Sequence, residues 1–297
     1  VSVIGAQPTK VATSIEVVGQ TEGAKEVEVR ARVGGILLHR SYEEGSSVKA
    51  GQTLFQIDRA PLEIALAQAK AQQAETQARL DQSSREAIRL KGLLAQNAIS
   101  QKEYDDTISS SAIAKANLMA AQARVRDAEL NLSYSQVTAP ISGVSGRAQK
   151  SEGTLVSTGT DSLLTTIVQT DPIWVRFSIA DNDLDRLPQR QVNKQTVKSV
   201  EVQSADSDKP QHGKLNFAAS SIDPKLGTLQ LRAELANADN ALLPGQFVRV
   251  KLITGERDGV FLVPQVAVLS SDKGKFVFVV GADGKAEPHP VQVGDWQ

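Results

Sequence analysis

Cysteine is absent from the 297 residues. That excludes disulfides, thiolate metal sites and cysteine nucleophiles, and it suits an exported chain that avoids thiols. Aromatic residues are scarce at 4%, which argues against an aromatic-lined small-molecule pocket or an aromatic-anchored interface. Charge of either sign is not in excess: 33 Lys and Arg face 34 Asp and Glu, for a net charge of −1. The electrostatic footprint of a nucleic-acid binder is therefore missing. No run of about 20 apolar residues exists that could cross a bilayer as a helix. An initiator methionine and a leader are missing too. The sequence starts at Val1 in a strand-like pattern and stops at Trp296-Gln297 without a terminating signal, so it reads as a trimmed piece of a longer protein.

What is present is a split pattern. Two β-rich segments share one layout, and a long helical stretch separates them. The first, Glu26–Arg59, carries Gly34-Gly35-Ile36-Leu37, then Glu44-Gly45, Val48 and Gly51. The second, Val137–Thr170, carries Ala139-Pro140-Ile141-Ser142-Gly143, then Glu152-Gly153, Val156 and Gly159. Such half-motifs imply one small β-domain assembled from distant pieces, with the intervening chain projecting as an arm. Gly34-Gly35 and Gly45 are read as turn positions with φ > 0.

The arm is rich in Ala, Leu, Gln, Glu, Lys and Arg, all good helix formers. Asp58 is placed as the N-cap of a helix, with Pro61 in its first turn, where a missing N–H does little harm. Leu62, Leu66, Ala69, Gln73, Thr76, Leu80, Ser83, Ala87, Leu90 and Leu94 alternate by four and three, which is a heptad seam. The helix this predicts is roughly 55 Å long. Asn97-Ala98-Ile99 breaks it. Ser100 with Glu103 forms a capping box that starts a second helix, running to about Ser135. Its seam is Thr107, Ser111, Ala114, Leu118, Ala121, Val125, Ala128 and Leu132. Small seam residues allow close approach, and the short turn makes the pair an antiparallel αα-hairpin.

Beyond Thr170, strand-like runs recur at hairpin spacing: Ile173–Ile179, Val197–Val202, Gly213–Phe217, Thr228–Leu235, Gln246–Ile253, Val260–Val263 and Phe276–Val280. They argue for a small antiparallel barrel or sandwich. Val1–Ile4 and Val11–Gly19 read as two strands broken at Pro8. Asp171-Pro172 reads as punctuation before the barrel, Asp181–Leu187 as a short helix stopped by Pro188, and Gly255–Gly259 as a flexible link.

Chemistry-bearing constellations are weak. Asp181-x-Asp183-x-Asp185 lacks the glycine and distal glutamate of a calcium loop. Asp105-Asp106 and Asp206-x-Asp208 read as solvated carboxylates. His39, His212 and His289 fall in three separate segments and Met119 stands alone, which does not make a metal site. Gly143-Val144-Ser145-Gly146 reads as a β-turn and not a nucleophile elbow, since no helix follows. No P-loop, dinucleotide fingerprint or catalytic triad order occurs. The expectation is a non-enzyme with no cofactor.

The half-motifs, quoted as Gly34-Gly35-Ile36-Leu37, Glu44-Gly45-Ser46-x-Val48-x-Ala50-Gly51-Gln52-x-Leu54 and Ala139-Pro140-Ile141-Ser142-Gly143, resemble the lipoyl domain of periplasmic adaptors. These are the membrane fusion proteins of tripartite efflux pumps, of the AcrA/MexA type. Asp171-Pro172-Ile173-Trp174-Val175 resembles the entry to that family's β-barrel, and Leu242-Leu243-Pro244-Gly245-Gln246-Phe247 one of its strands. Val263-Pro264-Gln265 resembles the entry to its membrane-proximal domain. The order is right over nearly the whole chain, and the ordered set is specific where each motif alone is not. True lipoyl and biotinyl domains present a modified lysine at a tight turn; here the hairpin replaces that turn.

The resemblance implies a mainly β, elongated, multidomain fold with a long α-helical hairpin. Its parts are a split lipoyl-like β-sandwich (26–59 plus 137–170), an antiparallel coiled-coil hairpin (60–136), a small antiparallel β-barrel (8–25 plus 171–257) and a partial membrane-proximal domain (1–7 plus 258–297). It implies two partners in two membranes: an inner-membrane transporter of the resistance-nodulation-division (RND) class and an outer-membrane factor channel. It also implies self-association as a hexamer and a periplasmic location at the inner membrane of a Gram-negative bacterium, through a lipid or N-terminal anchor that these residues do not include. Drugs or other small toxic compounds are the implied cargo. Adaptors of ABC-type exporters, of type I secretion and of metal efflux are the rival readings. The family's hairpin tip carries Arg-x3-Leu-x6-Ser, and Arg89, Leu93 and Ser100 match it at that spacing. They are the expected contacts to the channel: a long donor, an apolar knob and a cap that fixes the turn.

Overall fold

The computed structural model of the chain describes residues 3–184, 192–204, 209–272, 274–281 and 284–294. The chain divides into two compact units, Gly23–Ile173 with Asn237–Pro244, and Val1–Glu22 with Trp174–Ala236 and Gly245–Gln297.

The first unit is built by the two half-motifs exchanging bonds. The Gly45 N–H donates to the Ser145 carbonyl at 2.9 Å, and the Gly153 N–H donates to the Leu37 carbonyl at 2.7 Å. The adjacent carboxylates repeat the exchange. Glu44 accepts from the Ala148 N–H and Glu152 from the Arg40 N–H, both at 2.8 Å. Each Glu-Gly pair therefore ties its own half to the other, as related copies in a pseudo-twofold arrangement would. Gly45 and Gly153 hold φ of 76° and 83°, which explains the glycines: a side chain would be strained in this left-handed backbone. Both carboxyls lie below the usual glutamate range, chiefly through these backbone N–H bonds.

The apolar residues between the turns form one core. Leu37, Leu54, Phe55, Ile57, Leu164 and Ile167 are fully buried, with Val48 and Val156 from matching positions of the two halves. Burying each such side chain is worth about 1.5–3 kcal/mol. Tyr42 meets Phe55 edge-on at 5.3 Å. The strands are short: Gly35–Arg40 pairs antiparallel with Thr53–Ile57 and with Leu155–Val156, and Ser47–Val48 pairs with Gly143–Ser145. Gly143–Ser145 is thus a strand and not the β-turn read from its composition. A Cβ on Gly143 would stand 2.4 Å from the Val168 carbonyl oxygen, so its glycine serves strand packing. Gly34-Gly35 likewise lacks positive φ; at Gly35 a Cβ would lie 2.7 Å from Ile57 Cγ2.

Two helices spring from this core. The first, α1, spans Ala60–Ala95 (36 residues), and the second, α2, spans Gln101–Ser133 (33 residues). At 1.5 Å per residue α1 is about 54 Å long. Every seam position named from the heptads is half-buried or buried, while their neighbours are largely exposed; Ala87, Leu118, Ala121 and Val125 are the most enclosed. The start of α1 differs by one residue from expectation. Arg59 is the N-cap and makes no side-chain cap bond, while Asp58 Oδ1 accepts the Ala60 N–H at 3.0 Å. Leu62 and Tyr134 pack on the sandwich core at the hairpin's base, and Arg32 covers the Tyr134 ring at 5.1 Å.

In the second unit six strands follow in the order Pro8–Arg30, Phe247–Phe261, Ser199–Gln203, Gln211–Ala218, Thr228–Leu235 and Leu163–Ala180, with the first and last also paired, so the sheet closes on itself. Alternation is clean on Thr228–Leu235, where Leu229, Leu231, Ala233 and Leu235 face inward. Outside, Arg232 lies 3.7 Å over the Trp174 ring, whose Nε1 donates to Glu234 at 3.1 Å.

Several boundaries differ from the sequence reading. Pro8 does not break a strand. It begins one of 23 residues and pairs with Phe261, at a first position where no ladder N–H is demanded. Val3–Gln7 has no regular structure, and Val1 and Ser2 lie outside the described residues. Gly255–Gly259 is not a link; Gly255 and Glu256 pair with Thr13 and Ala12 inside one strand. Asp171-Pro172 sits within a continuous strand through a cis peptide bond. The helix expected at Asp181–Leu187 is a single turn, Asp181–Leu184; Asp185 and Pro188, like Asp206 and Asp208, lie outside the described residues. A three-stranded antiparallel sheet, Leu269–Ser271, Gly274–Val280 and Ala286–Pro290, follows the barrel strands.

One buried polar residue escaped the sequence. Asn237 is 1% exposed and fully bonded. Its Nδ2 donates to the Thr170 and Leu242 carbonyls at 3.0 and 2.9 Å, its Oδ1 accepts the Leu242 N–H at 3.0 Å, and its own N–H donates to Asp171 Oδ1 at 2.9 Å. It pins the Leu-Leu-Pro-Gly loop. Replacing it strands several buried partners at once, so Asn237→Ala is expected to lower unfolding stability by about 3 kcal/mol in urea titration. A change under about 1 kcal/mol would show that water replaces these bonds.

Candidate functional site

The tip of the hairpin is a five-residue connection, Gln96–Ser100, closed from both sides. On the α1 side the Ala98 N–H donates to the Leu93 carbonyl and the Asn97 N–H to the Leu94 carbonyl, both at 2.9 Å. With Asn97 at φ 57°, this is a Schellman ending, which satisfies carbonyls that a helix end leaves orphaned. Asparagine tolerates that backbone better than most side chains. On the α2 side the capping box is complete. Ser100 Oγ accepts the Glu103 N–H at 3.3 Å, and Glu103 Oε2 accepts the Ser100 N–H at 2.9 Å. The turn has little freedom left.

Arg89, Leu93 and Ser100 stand within this short end, in three different environments. Arg89 is on α1 with its side chain 63% exposed, and it is not free. Its Nε donates to Glu86 Oε2 at 3.0 Å, and its Nη2 to Glu86 Oε1. Glu86 thereby holds the guanidinium on its own helix, and the bond keeps the Glu86 carboxyl below its usual range. Leu93 is half-buried, and its carbonyl serves the turn. Ser100 is exposed apart from its cap bonds. The arrangement offers a charged donor, an apolar surface and a turn capped from both sides.

Sequence reasoning read Asn97 only as a break in the helix and missed Glu86 and Gly92. Asn97 and Glu86 had signals: asparagine after a helical run, and glutamate three residues before arginine on a helix. Gly92 is the odd residue. It lies inside α1, where glycine is about 1 kcal/mol less favourable than alanine, and a Cβ there would meet nothing within 4 Å. The chain's own packing does not ask for it.

Elsewhere, His39 Nδ1 lies 3.1 Å from Glu152 and His212 Nδ1 3.9 Å from Glu201. Among the described residues no three His, Cys, Asp or Glu side chains gather as a metal site would need.

Comparison with known proteins places both units. Residues 25–168 match the family described as RND MFP, barrel-sandwich hybrid domain, and residues 172–256 match RND MFPs, beta-barrel domain. The chain is 38% identical over 299 residues to the efflux pump periplasmic linker BepD of Brucella suis, covering 98% of this chain and 75% of that one. It is 38% identical over 292 residues to the multidrug efflux pump subunit AcrA of Escherichia coli, covering 96% and 73%. Among solved structures, a MacA-MexA chimera carrying the Pseudomonas aeruginosa MexA α-hairpin shares the fold, with a TM-score of 0.64 at 22% identity over 88% of each chain.

Two predictions follow from the tip's bonds. Ser100→Ala removes the cap acceptor and is expected to destabilise the hairpin by about 1 kcal/mol, read from helical circular dichroism during urea unfolding. The Glu103 carboxyl is held low, mainly by the Ser100 N–H. A depressed folded pKa gives stability present above the ordinary value of 4.5 and lost as pH falls through the folded one. Ser100→Ala keeps that N–H bond but loses the one that Ser100 Oγ donates to Glu103 Oε2 at 3.0 Å, so the part of the deficit due to this second bond should shrink as pH falls below 4.5, while the lost cap on the Glu103 N–H persists; a deficit that grows as pH falls would contradict the box.

Proposed function

The chain belongs to the membrane fusion proteins of RND efflux systems, and from that membership we propose that it serves as the periplasmic adaptor of a tripartite pump. It bridges an inner-membrane RND transporter to an outer-membrane channel, for export of drugs or other small toxic compounds. The observation that carries the reading is family membership across both units, joined to a rigid, uncatalytic hairpin tip. Relatives at 38% identity that are named as efflux linkers and pump subunits favour this over an ABC-type, secretion or metal-efflux adaptor.

The division of labour follows the domain plan. The sandwich (26–59 plus 137–170) and barrel (8–25 plus 171–257) form the body of a ring, six copies in number. The segments 1–7 and 258–297 face the transporter. The hairpin (60–136) reaches the channel, with Arg89 donating to partner acceptors, Leu93 giving apolar contact and Ser100 holding the turn. The protein works in the periplasm at the inner membrane, and conduction along the ring needs no catalytic step.

Arg89→Asp tests it. An exposed tip charge contributes little to stability, so the variant should express and melt like wild type. In a Gram-negative strain lacking the gene, full-length wild type should lower drug accumulation and Arg89→Asp should not. Normal efflux by a stably expressed Arg89→Asp would remove the tip from the contact.

A further inference from the structure

The outer wall of the barrel carries a groove of about 290 Å³, lined chiefly by Val18, Gln20, Arg176, Ser178, Gln230 and Phe247. We propose that this groove binds a small amphiphilic organic anion, a molecule with an apolar ring or short chain and one carboxylate, sulfonate or sulfate group. The site is separate from the hairpin and stands whether or not the tip docks.

The groove departs from the pattern that builds the barrel. Side chains alternate between core and solvent along each strand, and Val175, Phe177, Leu229, Leu231, Val248 and Val250 take the inner places. Val18 and Phe247 take outer places and are 66% and 71% exposed. Val18 stands across the ladder from Arg249, and Phe247 from Gln20. The two apolar side chains are thus diagonal neighbours on one spot of the wall. They add nothing to the core, so packing within the chain does not call for them.

The rim beside them is cationic. Arg176 has a 60% exposed side chain, and Glu22 stands 3.8 Å from its Nε, beyond hydrogen-bonding distance. Arg249 has no ion pair among the described residues. One acid against two guanidinium groups leaves positive charge in excess next to apolar surface. Ser178 and Gln230 add donors that no described residue engages, while Gln20 Nε2 is committed to the Gly245 carbonyl at 3.2 Å. An anionic head gains charge-assisted bonds from the arginines, and an apolar body covers Val18 and Phe247. An uncharged amphiphile gains only the second, and a cation is repelled. Size favours a small molecule. The apolar part is two side chains wide, whereas a stable protein interface removes about 1,200 Å² or more around a broader apolar centre.

Two fluorescent probes that share a ring system separate charge from apolar contact: anilinonaphthalene sulfonate, an anion, and phenylnaphthylamine, which is uncharged. Each is titrated with the purified protein as wild type, as Phe247→Ser, and as the double variant Arg176→Gln with Arg249→Gln. Phe278→Ser is the control, since Phe278 is a 54% exposed residue of the separate three-stranded sheet. All the altered side chains are exposed, so the variants should melt like wild type. Wild type is expected to bind the anion about tenfold more tightly than the uncharged probe. The double arginine variant should bring the anion to the level of the uncharged probe. Phe247→Ser should weaken both probes, and Phe278→Ser should leave the tight anion site unchanged. Equal affinity of wild type for the two probes overturns the proposal. So does a tight anion site that survives Phe247→Ser or the arginine changes, or one that is lost in Phe278→Ser. Should Phe247→Ser melt below wild type, the double arginine variant decides alone, and unchanged anion binding there contradicts the proposal.

Discussion

The exchange of backbone bonds between the two Glu-Gly turns is what the hairpin depends on. Neither half-motif can close a core alone: apart from the ends of the long strands Pro8–Arg30 and Leu163–Ala180, their strands have only two to six residues, too short for independent stability. Joined, they bury Leu37, Phe55, Ile57, Leu164 and Ile167 together. The joining also brings Asp58 and Gln136 to the same side of the core, where the Gln56 amide donates to the Ser135 carbonyl at 3.3 Å. Two helices leaving one small core side by side must run as a hairpin. The insertion of about seventy residues is tolerated because loop-closure entropy grows slowly with length, and because the seam stabilises the insert independently.

The tip repeats this logic on a smaller scale. A Schellman ending and a capping box use the orphaned polar groups of both helices within five residues. That leaves the side chains of α1's last two turns as the variable surface. The backbone carbonyls of Leu93 and Leu94 and the Ser100 hydroxyl serve the turn, while the side chains of Ile88 and Arg89 are exposed.

Much of this was legible in the residues. Heptad seams are set by a period that side-chain geometry imposes, so Leu62 to Leu94 and Thr107 to Leu132 could be assigned one by one. The Ser100–Glu103 box has a local signature, and the Glu-Gly repeats announced a divided domain. What failed was decided by tertiary pairing. Pro8 and Gly255 look like breakers but sit where the ladder tolerates them, and the Asp171-Pro172 bond lies inside one strand, Leu163–Ala180. Gly34-Gly35 and Gly143 looked like turn glycines, but close neighbours such as Ile57 and Val168 explain them. Asn237 gave no periodic signal at all, because its partners, Thr170 and Leu242, lie on either side of it at unrelated spacings. Arg89, Leu93 and Ser100 were named by resemblance, and the structure puts all three at or near the tip of the hairpin. Glu86 had a signal, three residues before Arg89 on a helix, but its bond to Arg89 and the open space at Gly92 required coordinates.

The most direct measurement of contact between tip and channel uses the lack of cysteine in these residues. Ala98→Cys, exposed in the turn, gives a single tip thiol, and Ala78→Cys, exposed midway along α1, gives a control. Each full-length variant is labelled with a membrane-impermeant maleimide in cells permeabilised at the outer membrane, with and without the channel gene. Docking predicts that Ala98→Cys is protected only when the channel is present, while Ala78→Cys labels equally in both strains. Equal labelling of Ala98→Cys with and without the channel, in cells whose pump is active, would contradict the account.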